Sequence, residues 1–429
     1  MAMVATDIKG MLSISIKSRH DSYTDQYNRM FMVKILLACS LVMGISWFQD
    51  SIHCIVPDSH KVSGDFISSA CWIQGVYVYR ELINEMGKVG YFGIPKDINN
   101  DGIYIGRDAH PGLHLCSTKK VIDKITVVNP YCRPMTKTFY LQYQWMPFFV
   151  ASLSILFYLP YIAFRTANSD LISLKNNLKS EEKSEAGKIA KHYFNHRTNP
   201  PRTMILRVIF NILIKILYLV ANLVALLGLD SLLNGQYVGF GSKWVAWNRL
   251  NNTMAYDYMG MRDHPKPGNS LLPPFGYCEV HEVAKELVQS KANLHKVICE
   301  LSQNILYQYC LIVLWFALIF GIVISVIGIV LLIVHYVIGI FGIRKRGQTG
   351  KKLYKALTFR ELEYLEFIRK RDVMLYGEVM EKLREDILGP NAPLDDEFPP
   401  RNSGGESAPL YPHLSEKDKY DHKGPGYNL

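Results

Sequence analysis

Between Glu300 and Arg344 the chain carries no Asp, Glu, Lys or Arg, and no other feature limits its fold so severely. A run of that length is about twice what one helix needs to cross about 30 Å of hydrocarbon. Part of it is therefore expected to continue as a helix outside the bilayer. Three shorter apolar blocks precede it, from Met30 to Phe48, from Trp145 to Phe164 and from Ile205 to Leu229. The last of these is interrupted by Asn211, Lys215 and Asn222. In lipid the backbone must satisfy its own polar groups, so each block reads as a transmembrane helix. A large soluble protein would not gather its buried helices into such blocks. The mean hydropathy of +0.04 averages these blocks with long polar loops.

Residues 1–29 contain Asp7, Lys9, Lys17, Arg19, Asp21, Asp25 and Arg29, with no apolar signal-peptide core before Met30. That is unlike a cleavable signal peptide, so the first block is expected to stay as a signal anchor. Orientation follows from the flanking cations. Arg29 and Lys34 begin the first block, Arg165 follows the second, and Arg202 and Arg207 precede the third. Arg344, Lys345, Arg346, Lys351, Lys352 and Lys355 follow the fourth, whereas Asp50, Asp230 and Glu300 mark opposite ends. Both termini and the 166–203 loop are therefore expected in the cytoplasm. The net charge of +10 is a topology signal that meets anionic lipid, not a nucleic-acid footprint.

The expected organisation is an N-terminal segment at 1–29, spans at 30–49, 143–165 and 204–229, and a fourth span with its extension at 304–343. Outer loops fall at 50–142 and 230–303, a cytoplasmic loop at 166–203, a helical cytoplasmic region at 344–389 and a disordered tail at 390–429. In the first outer loop Asn99-Asn100-Asp101-Gly102 predicts a tight turn. The second outer loop ends in a helical pattern from Val280 to Leu301. In the cytoplasmic loop a polar helical stretch, Leu174 to Phe194, is broken by Asn199-Pro200-Pro201. From Leu353 to Leu388 an amphipathic helical pattern places Leu357, Leu362, Leu365, Ile368, Leu375, Val379, Leu383 and Ile387 three or four apart, with one gap of seven.

Of eight cysteines, Cys39 and Cys310 sit in or beside apolar blocks, where a small hydrophobe is the simpler reading. Cys54, Cys71, Cys116 and Cys132 fall in the first outer loop, and Cys278 and Cys299 in the second. That one-sided distribution points to structural disulfides in an oxidising exterior. Sequence alone leaves their connectivity open. Cys278, His281, His295 and Cys299 also offer a zinc-ligand set, but a disulfide uses the same cysteines and suits the compartment better. His281-Glu282 lacks the second histidine of a zinc-protease helix. No phosphate loop, nucleophile elbow or intramembrane carboxylate pair is visible, so neither an enzyme nor a cofactor is expected.

The second span opens Tyr143-Gln144-Trp145-Met146-Pro147-Phe148, in which aromatic residues mark a water–lipid boundary. This stretch resembles the signature of innexins, an aromatic–Gln–Trp–x–Pro–Phe run at the same place. Cys54-x-x-Pro57 and Cys71-Trp72 look like the family's first-loop cysteines, and Leu301, Asn304 and Leu314-Trp315-Phe316 fall at family spacing. Tyr218-Leu219, Asn222 and Tyr237 to Gly241 match more loosely. Departures are Leu272 and Pro274 around Pro273, and Gln308-Tyr309 where the family carries Glu-Lys. The resemblance spans roughly residues 20–345.

It implies an all-α membrane protein with four transmembrane helices per protomer, disulfide-stabilised extracellular loops bearing short strands and a helix, and a helical cytoplasmic domain. It implies that Cys54, Cys71, Cys278 and Cys299 pair between the two loops of one protomer. Cys116 and Cys132 exceed the family's set and read as a local third bridge. It further implies a plasma-membrane channel subunit that closes a homo- or hetero-oligomeric ring of about eight copies. Such a ring forms gap junctions or hemichannels and passes ions and small solutes. The N-terminal segment and first span would line the conduit, giving Met1, Met3, Asp7 and Asp50 as pore candidates. Asn251-Asn252-Thr253 is a glycosylation sequon at Asn251 in the second outer loop. The alternative is a four-span adhesion or scaffold protein, which has no reason to carry the Tyr-Gln-Trp-x-Pro-Phe run.

Overall fold

The computed structural model describes residues 21–49, 52–56, 63–83, 89–91, 93–95, 103–106, 112–116, 132–178, 186–196, 199–250, 266–283, 292–344 and 356–388. Four of its helices are long and apolar enough to cross a membrane. The first, α1, runs through Tyr23–Gln26, a π-helical turn Tyr27–Met32 and Val33–Gln49. The others are α3 (Gln142–Ala167), α6 (Pro201–Leu232) and α9 (Ser302–Arg344). Pro201 stands at the first turn of α6, where its missing N–H costs no helical bond. The four helices pack on one apolar core that includes Met32, Leu36, Val150, Phe157, Ala225, Leu311 and Leu318, all buried. α6 and α9 approach closely because Gly321 has no side chain: a Cβ there would collide with the Asn222 side-chain oxygen.

At one end of the bundle lies a five-stranded antiparallel sheet of order β1-β10-β9-β2-β8. Its strands are β1 (His53–Ile55), β2 (Val76–Tyr79), β8 (Lys137–Tyr140), β9 (Phe275–Val283) and β10 (Ala292–Glu300). A helix, α2 (Gly64–Gln74), packs beside it. Between β2 and β8 the chain adds a pair, β3 (Val89–Tyr91) and β4 (Ile94–Pro95). A three-stranded sheet follows, β5 (Ile103–Gly106), β6 (Gly112–Cys116) and β7 (Cys132–Pro134). Two short helices, α7 (Phe240–Asn248) and α8 (Gly268–Leu271), complete this end.

The helical pattern expected from Val280 to Leu301 is replaced by the β9–β10 hairpin. Apolar residues there recur three and four apart, yet the burial has period two, with Cys278 and Val280 inward on β9 and Val297 and Cys299 inward on β10. The β-branched Val280, Val283, Val297 and Ile298 suit that pleat, and pairing with β1 and β2 decides the outcome. The Asn99–Gly102 turn lies outside the described residues.

At the opposite end α4 (Ser169–Asn177), α5 (Ala186–Tyr193), α10 (Phe359–Arg371) and α11 (Val373–Leu388) form a second apolar cluster. It joins Leu174, Ile189, Tyr193 and Met204 to Leu357, Tyr364, Leu365, Ile368, Leu375, Val379 and Leu383. The seven-residue gap between Ile368 and Leu375 is where the helix breaks, at Asp372 in an extended conformation. Thr358 caps α10 in a reciprocal box, its backbone N–H donating to Glu361 Oε2 at 2.6 Å.

Candidate functional site

The sheet end is bound to the bundle by covalent and hydrogen bonds that converge on α2. Cys54 faces Cys299 across β1 and β10 and is bonded to it, with S–S 2.07 Å. Cys71 on α2 is bonded to Cys278 on β9, with S–S 2.05 Å. Both bridges therefore join the first inter-helix segment to the second. Cys116 and Cys132 face each other on β6 and β7 and form a third. The sulfurs of Cys54, Cys71 and Cys299 lie within 4.8 Å of one another, but each belongs to a bridge and none is free for a metal.

The aromatic–Gln–Trp–x–Pro–Phe run performs a distinct task at each position. The last carbonyls of a helix have no intrahelical donor. Tyr143 Oη donates to Trp72 O at 2.8 Å, and Gln144 Nε2 donates to Trp72 O at 2.6 Å and to Ile73 O at 3.2 Å. These two side chains thus cap α2, whose chain turns away at Gly75 with φ of 86°. Pro147 has no N–H, so the Tyr143 carbonyl loses its helical donor. The Tyr307 hydroxyl of α9 sits 3.5 Å from that carbonyl and donates to Met43 O of α1 at 3.0 Å. The Pro147 carbonyl accepts from Ser40 Oγ of α1 at 2.8 Å. Trp145 packs edge-on against Phe149, and Phe148 points out of the bundle at 63% exposure.

The second inter-helix segment is held from α9. Asn304 Nδ2 donates to Pro273 O at 2.8 Å, and the buried Gln308 donates to Leu272 O at 2.7 Å. On the sheet, Lys137 and the Tyr77 hydroxyl both reach the Glu279 carboxylate, at 2.7 and 2.6 Å. Partial burial would raise that carboxyl, but these two bonds outweigh it and hold it below its ordinary range. Lys296 stands 4.3 Å over the Tyr277 ring and donates to Tyr79 Oη at 2.9 Å.

Of the polar residues that interrupt the third apolar block, Asn211 accepts from Asn168 Nδ2 at 3.2 Å at the end of α3, while Lys215 and Asn222 find partners on α1 inside the bundle. Lys215 reaches both carboxylate oxygens of Asp25 at 2.7 Å, with Thr24 at 3.1 Å and Ser22 also accepting. Asn222 donates to Asn28 Oδ1 at 2.8 Å, and Asn28 donates to Ser325 Oγ of α9 at 3.0 Å. Sequence reasoning missed this set because α1 begins at Tyr23, ahead of its apolar block, and so carries Asp25 and Asn28 into the bundle. The signal was present in Lys215 itself, since a cation in a span needs a counter-charge.

At the other end Arg360 of α10 is fully buried and bonds Asp170 Oδ1 and Asn168 Oδ1 at 2.9 and 2.8 Å and Glu363 at 2.7 Å. Arg207 of α6 and the Tyr364 hydroxyl also bond Asp170. Burial would raise the Asp170 carboxyl, but the bonds and charges of Arg360, Tyr364 and Arg207 outweigh it and hold it below its usual value. Tyr336 and His335 of α9 meet Glu363 and Glu366 at 2.6 and 3.1 Å. This network ties α10 to the ends of α3, α6 and α9.

Of the sequence-derived site residues, all six loop cysteines and Tyr143, Gln144, Trp145 and Pro147 of the signature fall in these contacts, while Phe148 lies on the outer surface. Met1, Met3, Asp7, Asp50 and Asn251 lie outside the described residues. A bundle of four helices long and apolar enough to span a membrane, with a disulfide-bridged sheet at one end and a helical cluster at the other, is the architecture of a multi-pass membrane protein. The innexin family model matches residues 21–387, nearly the whole chain, and the chain belongs to the innexin family. No curated protein gives a match. Membership makes this a multi-pass membrane protein of the gap-junction channel type, a family whose function is transport and not catalysis.

Proposed function

We propose that the chain is the subunit of a large-pore channel that passes ions and small solutes, between cells as a gap junction or across the plasma membrane as a hemichannel. The observation that carries this reading, beside family membership, is that one protomer has a filled interior. Met32, Leu36, Val150, Phe157, Leu311 and Leu318 occupy the space between the four helices. A conduit must then run between copies, which calls for a closed ring, of about eight as the family resemblance implies. The disulfide-bearing end faces the outside, where its bridges persist, and both termini with α10 and α11 face the cytoplasm. The segment before α1, with Met1, Met3 and Asp7, lines the conduit, and Asp50 stands at its outer mouth. Selectivity is loose and set by width and charge.

The test is conductance and dye uptake in cells that express only this chain. Currents and uptake at the surface are expected, with Asp7→Lys shifting the preference from cationic towards anionic dyes while ring assembly persists. Surface delivery and cell–cell clustering with neither current nor uptake would leave the adhesion or scaffold reading in its place.

A further inference from the structure

At the helical end of the bundle a cleft of about 280 Å³ opens between the start of α1, the last turns of α3 and α4. Arg29 and Arg165 line it together with Asp21 and Asn176, against apolar walls from Tyr161 and Phe164. Arg29 is only 7% exposed. Its guanidinium carbon stands over the Tyr161 ring, 3.9 Å from the centroid, and its Nε donates to Asp21 Oδ2 at 3.0 Å. Its Nη2 is 2.8 Å from the same carboxylate oxygen but makes no hydrogen bond to it, so a buried donor remains unused. Arg165 is exposed at the rim and has no anionic partner among the described residues. The Asn176 side-chain amide is likewise without a partner there. Two guanidinium groups face one carboxylate, which leaves the cleft one positive charge in excess.

We propose that this cleft binds the phosphate of an anionic lipid headgroup. Guanidinium forks match phosphate oxygens, and an unused, desolvated donor gains more from such a partner than a solvated one. A lipid is favoured over a soluble phosphate by position. Arg165 lies near the end of the Gln142–Ala167 span and Arg29 near the start of the Tyr23–Ile45 span, at the level where headgroups meet the hydrocarbon. Tyr161 and Phe164, which continue from the cleft into the span, supply the surface for the glycerol and upper acyl carbons. Because Arg29 and Asp21 flank the turn that holds Asp25 against Lys215, an occupied cleft braces the start of α1 against α3.

The experiment uses the purified full chain in neutral detergent and a fluorescent short-chain phosphatidic acid as the probe, with diacylglycerol of the same chain length as the uncharged control. Saturable binding of phosphatidic acid but not of diacylglycerol is expected. Arg165→Gln, at an exposed position, should elute as wild type does yet bind about tenfold or more weakly, from loss of a charge-assisted contact. Arg165→Lys should retain much of the affinity, and Arg29→Lys, which keeps a cation beside Asp21 but removes the unused Nη2 donor, should weaken binding at least as much as Arg165→Gln while eluting as wild type does. Arg202→Gln, an exposed cation of α6 outside the cleft, should change nothing. Equal binding of diacylglycerol, or equal loss in Arg202→Gln, would overturn the site in favour of general hydrophobic or charge attraction. Displacement of the probe by inorganic phosphate at concentrations similar to phosphatidic acid would replace the lipid with a soluble phosphate compound.

Discussion

Lys215 and Asp25 show how much one residue can depend on another inside a bilayer. Both side chains are about nine-tenths buried, and the ion pair is completed by Ser22 and Thr24. Removing one partner strands the other in a medium of low polarity, at a cost of about 3–5 kcal/mol. Lys215→Met should therefore lower the detergent melting temperature and surface yield markedly. Adding Asp25→Leu to it should recover most of the loss, because the pair is exchanged for apolar packing. A double variant as unstable as the single one would show that the pair orders the start of α1 and does more than cancel charge. Asp170 offers a titratable counterpart outside the spans. Its carboxyl is held below an ordinary value of 3.8, so the stability it confers is complete above that pH and is lost as the pH falls through the lower folded value. Amide exchange in α10 should accelerate on acidification below about pH 4, and Asp170→Asn should be loose already at neutral pH with a flatter acid response.

At the scale of elements, the Tyr143–Phe148 run and the bridges act on the same helix. Cys71 ties α2 to β9 while Tyr143 and Gln144 cap its C-terminus. Gln144→Leu should therefore loosen α2 without unfolding the sheet, seen as faster exchange at 72–74 with the Cys71–Cys278 bridge intact. Cys71→Ser should cost more, about 2–5 kcal/mol, and reduce assembly. If both variants exchange as wild type does, the capping contacts are incidental. The spans were legible in the sequence because bilayer hydrocarbon leaves so few alternatives, and α10 and α11 were legible because their apolar stripe has helical period. The β9–β10 hairpin was not. Val280, Val283 and Leu287, with Leu294, Val297 and Leu301, fit a helix as well as a strand locally, and only pairing with β1 and β2, distant in sequence, selects the strand. The role of Gln144 was equally hidden, since its partners are backbone carbonyls that no side-chain pattern announces.

At the scale of the whole molecule the question is whether the proposed ring docks with one on a neighbouring cell. Asn251-Asn252-Thr253 lies between α7 and α8, outside the described residues, in a segment that the proposed orientation puts outside the cell. An attached glycan is bulky and strongly hydrated. Docking of two rings requires close protein–protein contact, and a sugar projecting from the outermost surface opposes it. An occupied Asn251 at that surface should make the chain act mainly as an unpaired hemichannel. A bare Asn251, or one pointing sideways, leaves intercellular channels as its main form. Paired cells expressing wild type or Asn251→Gln separate the two cases. A glycosidase-sensitive mass shift in wild type, with junctional conductance rising in Asn251→Gln and hemichannel currents unchanged, is the expected result for the hemichannel form. Strong junctional coupling by fully glycosylated wild type would rule that form out, because steric exclusion by the sugar leaves no room for both.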